Sequence, residues 1–329
     1  MTARDTKGQR GAALLSAMLV VTLVATIAAA GVWQQWRGVE VEAAERQRQQ
    51  SAWVLVGALD WARLLLRIDA QSPGADHLAE PWAVPLQEAR LSSFLAQDQS
   101  TSADLDLEAF LSGAIVDGQS RLNVRNLAQD GKLSESALQA FSKLYEMLGL
   151  PAQELLSLAE GVRAAADNSP ENATDFAPLM PQRVGQLQAL GVSEQSIALL
   201  EPYITVLPER SALNLNTASA EAIYASVPEL DLASAQRLVQ EREKSHFKTL
   251  VDVGQMFPQI AGQFKDDEHS VSSKYFEVMG ALRLGDTTVQ ERSLVRRDGL
   301  NVRVQWRERF TVAAPAPSTQ AGAPSTIRP

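Results

Sequence analysis

Hydrophobic and polar positions divide the chain at its start. Residues 1–10, MTARDTKGQR, are polar, with Arg4, Lys7 and Arg10 set against Asp5. Gly11 follows, and no further charged residue appears before Arg37. Residues 12–33, AALLSAMLVVTLVATIAAAGVW, form a continuous apolar run. At ~1.5 Å per residue this run predicts a helix of ~33 Å, one hydrocarbon thickness. The basic residues ahead of it place the amino terminus in the cytoplasm and the rest of the chain across the membrane. Trp33 and Trp36 stand where an interfacial aromatic belt belongs. From Val39 to Ile68 there is no proline, and Trp53, Val56, Trp61, Leu64, Leu65 and Ile68 recur at mostly helical spacings. The pattern predicts one helix over residues 12–68, apolar in its first half and amphipathic in its second, stopped by Ser72-Pro73-Gly74. A cleaved secretory signal ending near Ala28-Ala29-Ala30-Gly31 is the competing reading, but its apolar core spans only about 7–15 residues. An uncleaved anchor is the plain alternative.

Beyond the helix the pattern changes several times. Residues 75–109 are mixed and polar, with Pro81 and Pro85, and read as loop plus short helix. Residues 110–127, FLSGAIVDGQSRLNVRNL, place an Asp117-Gly118 hairpin turn between two short segments. Residues 134–200 keep helical periodicity through Phe141, Leu144, Leu155, Leu158, Val162, Val184, Leu187, Leu190 and Leu200. Pro151, Pro170, Pro178 and Pro181 punctuate them, which predicts a bundle of short helices. In residues 213–253, Thr217 or Ser219 caps a helix carrying Ile223 and Val227. A turn at residues 228–231 leads to a second helix with Ala235, Leu238 and Val239, giving a helix-hairpin-helix or SAM-like unit. After residue 270 the period becomes two, with an Asp298-Gly299 turn. Leu300, Val302, Val304 and Trp306 are predicted on one face, Asn301, Arg303, Gln305 and Arg307 on the other. This fits an antiparallel sheet with one wet face. Residues 311–329 are rich in Pro, Ala, Ser and Thr and read as a disordered tail.

Composition narrows the function. The chain has 329 residues, 45% of them hydrophobic, and a formal charge of −9. The acidic balance opposes general nucleic-acid binding. With no cysteine, disulfides, thiol catalysis and Cys-ligated metal sites are excluded. His77, His246 and His269 lie too far apart in sequence to announce a metal site or triad. No Gly-rich phosphate loop or nucleophile–base pair appears, so an enzyme is not expected. His246 reads as a complement to a helix C-terminus. Arg296, Arg297, Arg303, Arg307 and Arg309 read either as a solvated sheet face or as a docking surface for an acidic partner. The helix-hairpin-helix unit raises a rival function, a membrane-anchored DNA-uptake protein. Its turn, Pro228-Glu229-Leu230-Asp231, has no glycine and two carboxylates, which disfavours phosphate approach.

The short basic leader, Gly11 and the small apolar start at Ala12 resemble the type IV pilin family and its secretion relatives. That resemblance implies cleavage by prepilin peptidase between Gly11 and Ala12, with N-methylation of Ala12. Most pilins have Glu as fifth mature residue, where this chain has Ser16. A carboxylate in hydrocarbon is costly unless paired, and in pilins it is thought to pair with the terminal amine of the subunit ahead. The K-type minor pseudopilins of type II secretion lack it. The stretches RLNVRNL (residues 121–127) and LNLNTASAEAI (residues 213–223) also resemble that family.

The resemblance implies an α+β fold with a long N-terminal transmembrane and filament helix. A pilin-like antiparallel sheet head would carry an inserted all-helical, SAM-like domain. The divisions are a leader at 1–11, the helix at 12–70 with 12–33 transmembrane, a first head part at 71–127, the insert at 128–265, a β part at 266–310 and the tail at 311–329. It further implies a single-pass inner-membrane protein with a periplasmic head, at the tip of the secretion pseudopilus, helping assembly and export of folded proteins. A head of ~250 residues is broad for repeated stacking in a thin fibre, which favours the tip. Implied partners are the I- and J-type minor pseudopilins, the major pseudopilin, prepilin peptidase and a secreted substrate, with no nucleic acid. The K family holds calcium in its head. Asp266, Asp267 and Glu268 are the candidate ligands here, although their spacing is not that of an EF-hand.

Overall fold

The computed structural model describes residues 9–72, 74–92, 109–129, 131–167, 178–285 and 287–313. Arg4, Lys7, Pro73, Pro170 and residues 314–329 of the tail lie outside the described residues. The chain divides into two units, one up to Val56 and one from Gly57 onward.

Helix α1 (Gln9–Asp69) runs without interruption through the predicted span, as a segment without internal proline allows. Residues 12–50 are exposed throughout. Burial then sets in at Ser51, Leu55, Leu59, Ala62 and Leu66, steps of four, four, three and four residues that trace one helical face.

In the second unit the end of α1 lies on a five-stranded antiparallel sheet. Its strands are β1 (Leu86–Arg90), β2 (Ala109–Asp117), β9 (Tyr275–Leu284), β10 (Thr287–Asp298) and β11 (Asn301–Ala313), in the order β1-β2-β9-β10-β11. Leu59, Ala62 and Leu66 close a core with Trp82, Ile115, Phe276, Val278, Val295 and Val302. At ~25 cal/mol per Å² of apolar surface, such burial is what holds an amphipathic helix to a sheet face. Gly113 lets two strands approach closely: a Cβ there would lie 2.8 Å from the Met279 carbonyl oxygen of β9.

Between Asp117 and Tyr275 the chain builds a second core from short helices: α2 (Glu135–Leu148), α3 (Ala152–Ala166), α4 (Glu194–Leu200), α5 (Ala220–Ser226), α6 (Leu232–Lys244) and α7 (Leu250–Met256). Ser134, Ser193, Ser219, Asp231 and Thr249 cap five of them through their side-chain oxygens. Two two-residue parallel pairs stitch the ends of this insert, β3 (Leu122–Asn123) with β6 (Ile204–Thr205) and β7 (Leu213–Asn214) with β8 (His269–Ser270). A third short pair joins β4 (Ala128–Gln129) to β5 (Lys132–Leu133).

Several sequence expectations change. Asp117-Gly118 is not a hairpin turn. Asp117 ends β2 and caps a 3-10 turn (Gly118–Ser120), because its carboxylate is taken up inside the fold. Leu122, Val124 and Leu127 belong to the helical core, so the first part of the sheet ends at Asp117 rather than near 127, and the sheet resumes at Tyr275. Within residues 75–109, expected as loop plus short helix, residues 81–83 form a 3-10 turn and residues 86–90 add an edge strand. Thr311–Ala313 pair with Val289–Thr287 and extend β11, so the tail begins after them.

The largest correction lies in β11. Leu294 pairs with Trp306 and Val295 with Val304, leaving Gln305 as an extra residue, a β-bulge. Beyond it every side chain changes face. Trp306 therefore leaves Val302 and Val304 and packs against Leu207, Tyr275 and Leu294, on the side of the helical insert. Arg307 and Arg309 move to the face that carries Val302, where Glu291 meets them.

Candidate functional site

The anchor segment comes first in the chain. Gly11, Ala12 and Ser16 all lie in the opening turns of α1. Ser16 Oγ donates to the Ala13 carbonyl at 2.9 Å. Thr22 donates to Met18 and Leu19 at 3.0 and 2.9 Å, and Thr26 to Leu23 at 2.8 Å. Each hydroxyl is thus satisfied by its own helix, which removes the penalty of an unpaired donor in hydrocarbon. With a mean hydropathy of 2.4 over its most apolar 18-residue window, the helix is long and apolar enough to cross a membrane.

Where α1 meets the sheet, polar contacts aim it. Arg63 Nε and Nη2 donate to the Val302 carbonyl at 3.1 and 2.8 Å, and Arg67 Nε donates to the Leu300 carbonyl at 3.1 Å. The acceptors lie just before and just inside the start of the edge strand β11, so the helix satisfies carbonyls that an open edge leaves bare. The outer face of the same segment leaves Trp61, Leu64 and Ile68 about half exposed.

A buried polar knot then ties sheet to insert. Asp117 accepts from Gln119 N at 2.7 Å, Ser273 Oγ at 2.7 Å and Asn214 Nδ2 at 3.0 Å, and from Thr217 Oγ1. Burial pushes its carboxyl above the usual range, against those hydrogen bonds. Asp76 accepts from Ser273 N and pairs with Arg297, which also reaches Asp69. Burial raises Asp76 as well, opposed by the Arg297 charge. Glu277 on β9 is nearly buried, and burial alone would raise its carboxyl. Arg121 at 2.8 Å and Arg292 at 2.9 Å hold it below the usual range instead.

The two motifs quoted above are the other half of this seam. Asn123 donates to the Glu209 carbonyl at 2.8 Å and accepts from Leu207 N at 3.2 Å. Asn126 and Ser211 exchange two bonds, of 2.8 and 3.1 Å. Asn214 donates to the Asp76 carbonyl and to Asp117, while Asn216 and Phe247 exchange a pair at 2.9 Å. The asparagines of RLNVRN and LNLN are therefore the clamps where the chain enters and re-crosses the insert. The resemblance of both stretches to the K-type family was the visible signal. Asp76 and Asp117 carried none.

In the helix-hairpin-helix turn the N–H groups of Glu229 and Leu230 already donate, to Gln263 Oε1 at 3.2 Å and to the Val227 carbonyl at 3.3 Å. Lys143 Nζ donates to the carbonyls of Tyr224, Val227, Pro228 and Leu230 at 2.7 to 3.2 Å, so an internal ammonium fills the turn. His246 stacks on His77 at 3.8 Å with an interplanar angle of 11°, a contact across the seam that spacing could not show. Four of the five arginines balance nearby acids: Arg296 pairs with Glu209, Arg297 with Asp69 and Asp76, and Arg307 and Arg309 with Glu291.

The candidate calcium ligands sit on the turn before β8. Asp266 and Asp267 are exposed and Glu268 is half-buried, 4.0 Å from Lys265 Nζ. Among the described residues, the carboxylates that come within 4.8 Å of one another are a different trio, Asp69, Asp76 and Glu80. Arg297 bridges two of these, Asp69 and Asp76, and offsets part of their charge.

Comparisons with known proteins bear on this arrangement. Family models described as type II secretion system (T2SS), protein K match residues 120–209 and 213–272, beginning at the two asparagine motifs. The chain is 27% identical to the type II secretion system protein K of Pseudomonas aeruginosa, over 95% of this chain and 96% of that one. It is 28% identical to that of Klebsiella pneumoniae (88% and 93%) and 26% identical to that of Pectobacterium carotovorum (91% and 96%). Its fold matches a chain in the crystal structure of the GspK–GspI–GspJ complex from the enterotoxigenic Escherichia coli type 2 secretion system. There the TM-score is 0.63 and the identity 19%, covering 81% of this chain and 98% of the other. The family models over the helical insert, the relatives matched along nearly the whole chain and the shared fold together support a minor pseudopilin of the type II secretion system protein K kind.

Proposed function

We propose that the chain is the tip subunit of the type II secretion pseudopilus, a structural component and not an enzyme. Residues 12–33 anchor it in the inner membrane before assembly, with the head in the periplasm. The observation that carries this reading is Ser16, whose hydroxyl bonds back to Ala13. A filament subunit that docks behind another uses a carboxylate at this depth to meet the amine ahead; a subunit with a self-satisfied serine needs no neighbour ahead. The half-exposed Trp61, Leu64 and Ile68 supply an apolar stripe for helices of sister subunits. The neighbour in the solved complex is assembled with GspI and GspJ, which supports I- and J-type minor pseudopilins as partners, with the major pseudopilin below.

Prepilin peptidase would cut between Gly11 and Ala12 and the new terminus would be methylated. Mass analysis of the terminus from membranes tests this: a methylated Ala12 is the expected start, and an intact Met1 or a start near Val32 overturns it. Crosslinking tests position: the chain is expected at one end of the fibre, beside sister subunits. Finding it repeated along the shaft overturns the tip. Calcium at Asp266, Asp267 and Glu268 rests on the hard oxygen donors of that turn. Calorimetry on the protein and its triple alanine variant decides it, since equal heats remove these residues as ligands. Nothing in the relatives favours DNA uptake, and the Lys143-filled turn supports a structural role for the helix-hairpin-helix unit.

A further inference from the structure

The β11 bulge does more than change a face. It places Trp306 at a groove of about 280 Å³ between β11 and two stretches of the insert, lined by Arg125, Met180, Pro181, Val206, Leu207 and Trp306. Leu179, next to Met180, is 91% exposed. Bulges beside functional sites commonly re-aim one side chain, and concave apolar sites with few polar groups are the usual form of a binding groove. The charges decide what fits. Arg183 lies over the Trp306 ring at 5.1 Å and is paired with Glu308 at 3.1 Å. Arg296 is paired with Glu209 at 3.5 Å. Arg125 lines the groove and meets no carboxylate among the described residues. Among the described residues, the groove thus joins an apolar floor, with Gln182 and Gln305 also in its lining, to a guanidinium that meets no carboxylate. The complementary occupant has a large apolar side chain followed by an acid.

We propose that this groove docks an extended segment of a partner protein in which a large apolar residue precedes a carboxylate, the apolar group on Trp306 and Met180 and the carboxylate on Arg125. The inference concerns the head alone and stands whether or not the subunit caps the fibre.

The test uses the full chain in detergent and a fluorescein-labelled peptide, Gly-Gly-Leu-Glu-Gly-Gly, followed by anisotropy. Saturable binding is expected, at least fivefold tighter than for the Leu-Lys and Gly-Glu versions. Arg125→Gln is expected to weaken the Leu-Glu peptide about tenfold, and Arg125→Glu to reverse the preference towards Leu-Lys. Absence of saturable binding, or equal binding of the Leu-Glu and Leu-Lys peptides, overturns the proposal. Both readings need only the unaltered chain. Binding that appears only after truncation beyond Ala313 also overturns it, because the chain's own tail is then the occupant.

Discussion

Ser273 Oγ donates to Asp117 Oδ2 across 2.7 Å, although 156 residues separate the two. One residue ends the second strand of the sheet and the other precedes the third in space, so the bond closes the loop that holds the whole insert. The anchor helix reaches the same knot through Asp69 and Arg297.

Removing the knot's acceptor leaves Asn214, Thr217 and Ser273 as buried donors with fewer partners. An unsatisfied buried group costs about 1–3 kcal/mol, so Asp117→Ala is expected to lose on the order of 3 kcal/mol. Denaturant unfolding followed by tryptophan fluorescence measures this. A loss below half a kcal/mol would show that the knot contributes little.

Gly113→Ala places a Cβ 2.8 Å from a backbone carbonyl that cannot rotate away. Overpacking of this kind costs about 1–3 kcal/mol, and β2 must shift from β9. The expected signature is faster hydrogen exchange at Leu111 and Ile115 than at residues of α2. Unchanged exchange in β2 would contradict the contact.

Two groups give stability opposite pH dependences. Burial, with Asp69 and Asp76 nearby, raises the Glu80 carboxyl from 4.5 to about 7. The folded state then binds the extra proton, so this contribution is full below about 4.5 and lost as pH rises through 7. Burial lowers His269 to about 4. There the unfolded state binds the extra proton, so stability is lost as pH falls from 6.5 towards 4. Glu80→Gln should flatten the loss between pH 5 and 8, while His269→Gln should flatten the loss below pH 6.5. Melting temperatures across both windows check the two signs separately.

Lys143 stabilises the turn between α5 and α6 through four carbonyls, and burial lowers its ammonium below the usual lysine range. Lys143→Met keeps the stem and removes the donors. It is expected to cost about 1–3 kcal/mol and to raise exchange at Leu230 and the first turn of α6. If the turn served DNA, the same variant would instead change gel-shift affinity for duplex DNA without changing stability.

The anchor helix was legible from residues 12–68 because helix formation in an unbroken, proline-free segment reports on near neighbours. The insert helices were legible from Phe141, Leu158 and Leu238 for the same reason. The head's seam was legible only as two asparagine-bearing motifs, with nothing to say what they clamp. Asp117 read as a turn residue because Asp-Gly is a strong local signal, and tertiary hydrogen bonds outweighed it. The arginines were legible as charges on a sheet face, but not their partners: the carboxylates come from residues 69, 76, 209 and 291, which no local pattern connects to them.

Short-range periodicity, charge placement and the absence of cysteine were enough to specify a membrane-length helix carrying an α+β head with no recognisable catalytic motif. The bulge at Gln305, the side on which Trp306 lies, and the closure of Asp117 with Ser273 came from the folded chain alone. A single extra residue leaves composition and spacing unaltered while reversing every side chain beyond it, and contacts between distant residues exist only once the strands have paired.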